Sequence, residues 1–169
     1  MSINLTDPAT FIFEDDGSIP NNPKLPLLFY PGVFSDVTPE LIEETFRVNQ
    51  WGNGWRASVY PFPHCHAEAH EALGCFRGKA TIRLGGKNGI EQKVQPGDVV
   101  VIPSGVGHER LDATSDFTMV GAYPPEQEPD LQRGEPSERK WVIESIVKVP
   151  LPVADPVFGV DGPLMKAWS

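Results

Sequence analysis

The stretch PHCHAEAHE, residues 63–71, read together with GDVVVIPSGVGHER, residues 97–110, decides the fold of this chain. In extended backbone the side chains alternate between two faces, so His64 and His66 point to the same side. Glu71 follows after a short turn, and His108 stands beyond the apolar run 99–102 and a Pro103-Ser104-Gly105 turn. Two imidazoles and a carboxylate from one segment, with a third imidazole from a distant one, are the ligand types of a divalent transition metal. Segments so far apart in sequence meet when their strands lie side by side in a barrel. The resulting donor set is three nitrogens and one oxygen, with positions left for water or substrate.

Around these segments, residues 55–123 alternate between strand-length runs and turns. WRASVYPF, EALGCF, KATIRLG, IEQKV, DVVVIP, HERLD and DFTMVGAY are separated by Gly78, Gly85-Gly86-Lys87-Asn88-Gly89, Pro96-Gly97 and Ser104-Gly105. Evenly spaced short strands with glycine-rich turns predict an all-β barrel or sandwich. In the lead-in, 1–54, residues 10–13 and 27–30 read as strands, and TPELIEETFRVN, 38–49, reads as a helix. Thr38 is its N-cap and Pro39 its first residue. Leu41, Ile42, Thr45, Phe46 and Asn49 recur at helical spacing and face the barrel. After the barrel comes a polar loop, 124–138, then a short helix over 141–147 and a proline-rich tail expected to run extended over the surface. With 169 residues, 40% hydrophobic and 22% charged, the chain reads as one globular domain over 1–169.

The order His64-x-His66-x4-Glu71-x6-Gly78 resembles the first motif of the cupins, and Gly97-x5-Pro103-x-Gly105-x2-His108 resembles the second. Two positions depart from the pattern: Ser58 stands where a glycine is usual, and Asp112 where an asparagine often closes the second motif. Neither is a ligand. Nearly the whole chain also looks like the YjlB-like cupins, through FEDDGSIPNNPKLPLLFYPGVF, NQWGNGWR, HEALGCFRGKATIRLGG, PSGVGHERL, SDFTMVGAYP and VPLPVADPVFGVDGPL. The resemblance implies a double-stranded β-helix, or jelly-roll barrel of the RmlC-like type, with one or two short helices outside it. It implies a single divalent metal ion held by His64, His66, Glu71 and His108, and by analogy a homodimer that covers its open sheet edges.

Other residues near the motifs have competing readings. His70 is opposite in parity to Glu71 and is expected outward, unless a bulge brings it in to displace His66. Cys75 shares parity with Glu71 and either lines the pocket or is a small core residue. Cys65, between two inward histidines, points away, so no Cys65–Cys75 disulfide is expected. Arg110 shares the face of His108 and is a candidate clamp for a substrate carboxylate or phosphate, with a plain salt bridge as the alternative. Trp51, Trp55, Tyr60 and Phe62 either wall the pocket mouth or belong to the core. Arg83, Glu68 and Glu109 read as surface residues.

Three imidazoles and a carboxylate accept Fe, Mn, Co, Ni, Cu or Zn, and affinity alone does not select among them. The reading is a metal-dependent small-molecule enzyme of the dioxygenase or oxidoreductase type, with Glu71 and Arg110 in catalysis. The alternatives are a non-redox isomerase or epimerase of a sugar or keto acid, in which the metal polarises a carbonyl, and a binding cupin without turnover. A net charge of -9 argues against nucleic acid as a partner. No apolar run is long enough to cross a membrane. The opening MSINLTDPATFIFEDDG lacks the basic-then-apolar pattern of a secretion signal, so a cytoplasmic location is expected.

Overall fold

The computed structural model describes residues 2–169. Nine strands form two antiparallel sheets. They are β1 (Ala9–Phe11), β2 (Leu27–Tyr30), β3 (Gly52–Ala57), β4 (Glu71–Arg77), β5 (Ala80–Leu84), β6 (Ile90–Val94), β7 (Val99–Ile102), β8 (His108–Ala113) and β9 (Thr118–Tyr123). The larger sheet runs β1-β2-β7-β4-β9-β3 and the smaller β6-β5-β8. Helices α1 (Pro39–Val48), α2 (Arg139–Ile146) and α3 (Pro163–Ala167) lie outside the barrel.

Burial explains why the strands differ in composition. In the small sheet β5 alternates buried and half-buried residues, because one face meets solvent. In the large sheet β2, β4 and β7 are near-continuous apolar runs, buried on both faces. Their inward residues, among them Phe29, Leu73, Cys75, Val100 and Ile102, pack against Ile82, Leu84 and Val94 of the small sheet. Their outward residues, among them Leu28, Tyr30, Ala72 and Val101, pack under Ile42 and Phe46 of α1 and under Val157, Leu164 and Trp168 of the tail. A β-carbon at position 74 would sit 2.7 Å from the Ile42 side chain, so glycine at this point of β4 lets α1 lie directly on the sheet.

Helix α1 has the predicted start: Thr38 Oγ1 accepts from Leu41 N–H at 3.1 Å, with Pro39 in the first turn. Strand β3 is displaced from the expected 55–62. It begins at Gly52, slips register against β9 between Gly52 and Trp55, and ends at Ala57. β1 likewise starts one residue earlier than expected and ends at Phe11.

The C-terminal tail does not run extended over the surface. Ala154, Asp155, Val157, Leu164 and Trp168 are buried, and α3 adds a third short helix to the two expected. The reason is the Asp155 carboxylate. Its two oxygens accept from the amides of Val157, Phe158 and Leu164 and from the Tyr30 hydroxyl of β2. The tail thereby folds back onto the sheet, and Trp168 Nε1 donates to Pro26 O at 2.8 Å.

Candidate metal centre

His64 and His66 lie on an extended segment between β3 and β4. His64 exchanges backbone hydrogen bonds with His108 at 3.2 and 2.9 Å, while Cys65 exchanges two with Gln132, each 2.9 Å. The bonding partner thus switches sides from one residue to the next, and the two histidines project into the barrel as period two requires. β4 opens on inward-facing Glu71, and β8 opens on His108. Ligand nitrogens of His64, His66 and His108 all lie within 4.8 Å of one another. Glu71 Oε1 is 3.4 Å from Nε2 of His66 and 3.4 Å from Nε2 of His108. The structure brings the four sequence-predicted ligands together.

The second nitrogen of each ring settles its proton. Nδ1 of His64 faces Phe62 O at 3.0 Å, Nδ1 of His108 faces Val106 O at 3.1 Å, and Nδ1 of His66 faces Asp130 O. A carbonyl oxygen only accepts, so each Nδ1 carries the hydrogen and each neutral ring keeps its lone pair on Nε2. Two of those lone pairs face a buried carboxylate, an arrangement that is repulsive unless a positive charge stands among them. Burial, then the neighbouring His108, holds His64 down to about 3. Burial opposes charge on His66, but the Glu71 carboxylate outweighs it and raises that ring above its ordinary value. Burial alone would raise Glu71, yet His66 and His108 hold it well below the usual carboxylate range. The donor set fits one divalent metal ion, with backbone carbonyls fixing each imidazole tautomer from behind.

A family model described as Cupin matches residues 58–116, which contain all four of these side chains. The chain is also 40% identical over 159 residues, 94% of its length and 95% of the relative's, to the Bacillus subtilis (strain 168) protein described as "Uncharacterized protein YjlB". This chain is a cupin. Among solved structures, it is similar to the 3,4-ketoisomerase QdtA of Thermoanaerobacterium thermosaccharolyticum. There the TM-score is 0.41 at 19% identity, covering 58% of this chain and 74% of that one. The polyketide cyclase RemF of Streptomyces resistomycificus gives a TM-score of 0.38 at 20% identity, covering 55% and 70%.

The cupin centre forms the floor of a cavity of about 400 Å³. Trp55, Ala57, Ser58, Val59, Tyr60 and Leu73 wall it on one side, and Pro129, Asp130 and Leu131 of the loop after β9 on the other. Of the aromatics singled out in the sequence, Trp55 and Tyr60 reach the cavity. Phe62 stacks on Tyr60 with ring centres 5.0 Å apart, and Trp51 is core, its Nε1 donating to Ala154 O. Arg110 is not among the cavity-lining residues; its guanidinium donates to Ser58 Oγ at 2.8 Å, behind the wall. Arg83 pairs with Glu109 at 3.0 Å, so Glu109 is half-buried in an ion pair rather than free at the surface.

His70 faces away from the centre, as its parity requires, but it is not exposed. The tail covers it, and its ring packs on Trp168 at 4.7 Å. Cys75 is fully buried in the inner core, away from the cavity, and Cys65 packs outward against Ile19, Val142 and Ile146. Both thiols are free, and burial pushes each up to about 12.

Two residues escaped the sequence reading. Tyr123, at the end of β9, donates its hydroxyl hydrogen to Glu71 Oε2 at 2.8 Å. The signal was its inward parity, usable only once β9 is registered against β4 through Ala72 and Ala122. Asp130 sits in the polar loop, accepts from the Ala67 and Glu68 amides through Oδ1, and offers its carbonyl to His66. Nothing in its local sequence marks it.

Proposed function

We propose that this cupin is a metal-dependent oxidoreductase of the dioxygenase type, acting on a small, uncharged and largely apolar molecule. His64, His66 and His108 would hold the metal through Nε2 and Glu71 through Oε1. When bound, a redox-active ion supplies electrons to dioxygen and Lewis acidity to an oxygen of the substrate. The chain itself binds and orients the substrate between Trp55, Tyr60 and Leu131, and it keeps bulk water from the buried donors.

The observation that carries this reading is the cavity lining. No lysine or arginine is among it, and its two carboxylates are the ligand Glu71 and the loop-bound Asp130. A phosphorylated sugar or a small dianion would find no cation there besides the metal. An apolar substrate has few acidic protons to move, which favours oxidation over isomerisation.

One contact favours a second reading. Glu71 and the Tyr123 hydroxyl form a hydrogen-bonded pair at the cavity wall, positioned to exchange a proton with a carbonyl compound as an isomerase requires.

The test begins with elemental analysis of untagged protein, followed by oxygen uptake and by deuterium exchange from solvent into a panel of small aromatic and keto compounds. Near-stoichiometric Fe, Mn, Ni or Cu with oxygen uptake is expected. Zinc with deuterium exchange but no uptake would transfer the assignment to the isomerase reading. Ligand binding with neither reaction would leave a binding cupin.

A further inference from the structure

Both oxygens of the Glu71 carboxylate are accounted for, and by different partners. Oε1 faces Nε2 of His66 and of His108, each at 3.4 Å. Oε2 accepts the Tyr123 hydroxyl at 2.8 Å, and that hydroxyl accepts from Trp55 Nε1–H at 2.6 Å. The chain Trp55–Tyr123–Glu71 therefore has one direction: indole to phenol to carboxylate. Three elements hold it in place. Tyr123 is 3% exposed at the end of β9, Glu71 is 2% exposed at the start of β4, and the ring of Trp55 of β3 packs against Gly121. A β-carbon at position 121 would be 2.3 Å from the Trp55 ring, so any other residue would displace the indole.

We infer that Tyr123 is a positioning residue that holds Glu71 as a one-oxygen ligand, with Trp55 orienting the phenol. A carboxylate free at both oxygens can turn and bind a cation through both. With Oε2 occupied by a phenol and Oε1 turned to the histidine nitrogens, the carboxylate presents a single donor. The coordination position that a second oxygen would fill stays open toward the cavity. This inference rests on the metal-centre reading above.

The experiment loads wild type, Tyr123→Phe and Trp55→Phe with Co(II). It records the visible d–d spectrum and the Co(II) affinity against a chromophoric chelator, together with the melting temperature of each metal-free protein. In Tyr123→Phe, affinity should change by about tenfold, the usual scale for removing a partner that orients a ligand. The spectrum should weaken, as a higher coordination number produces. Trp55→Phe should move the spectrum the same way by less. Loss of affinity with an unchanged spectrum would reduce Tyr123 to a structural residue and overturn the inference, as would wild-type values for both. If Tyr123→Phe does not fold, the Trp55→Phe spectrum decides: a shift supports the inference and identity with wild type overturns it. Failure of the wild type to bind Co(II) would instead sink the metal-centre reading, and this inference with it.

Discussion

His70 and Glu71 are neighbours in the chain and face opposite sides of the same sheet, where two buried polar environments differ in kind. Inside the barrel, His64, His66 and His108 give their Nδ1 hydrogens to backbone carbonyls, and their Nε2 lone pairs converge. Outside it, His70 Nδ1 accepts from Ser104 N–H at 2.9 Å, which puts its hydrogen on Nε2 and leaves that nitrogen no lone pair to offer. No carboxylate faces His70. Burial drives it down to about 4 against an opposing pull from the Pro150 backbone, and its ring packs against Trp168. The four histidines, three buried and His66 half-buried, thus divide by tautomer into three whose lone pairs converge and one that packs, which the backbone around each ring dictates.

The comparison breaks most readily at the ligands. His108→Ala should reduce metal binding by more than about a hundredfold, since it removes a donor outright and exposes Glu71 to an incomplete cation site. Elemental analysis after dialysis should find the metal gone, whereas His70→Ala should keep it. Metal loss in His70→Ala would show that the two environments are not independent.

On the outer face, Trp168→Ala should cost about 3–5 kcal/mol in urea denaturation, as a large buried ring leaves a cavity against His70 and Pro26. Metal content of the folded protein should stay unchanged. A drop in metal content without loss of stability would reverse the assignment.

Titration sharpens the contrast. His70 stays neutral in the folded chain down to about 4, while the unfolded chain takes its proton near the ordinary 6.5. Its contribution is therefore complete above about pH 6.5 and lost as pH falls toward about 4, a total of about 3 kcal/mol. Urea melts of the metal-free protein across that window should show a shallower slope in His70→Gln than in wild type. His64, also held low by burial, titrates alike in both chains and cancels from the difference.

The smallest effect belongs to the rim of the outer layer. Thr38→Ala removes the cap of α1 and should cost about 1 kcal/mol. It should leave metal affinity untouched, because α1 covers the face that the centre does not use.

The sequence by itself determined the all-β barrel, the capped start of α1 and the shared face of His64 and His66, while the ends of β1 and β3 shifted from their expected places. Each depends on a short-range rule: period two carries His64 and His66 to one face, and Thr38-Pro39 starts a helix wherever it stands. It also determined the directions of Cys65 and Cys75, by the same alternation. Only the tertiary structure decided what covers each face. His70 was legible as turned away from the centre but not as buried, because its cover, Trp168, lies far along the chain in a tail whose prolines suggested an extended run. That tail folds back because the Asp155 carboxylate gathers three amides of the tail itself and the Tyr30 hydroxyl, the last a bond that exists only once β2 is in place. Tyr123 and Asp130 reach the centre through strand register and loop docking. Alternation fixes the side of a strand on which a residue stands, and register across the barrel chooses its partner.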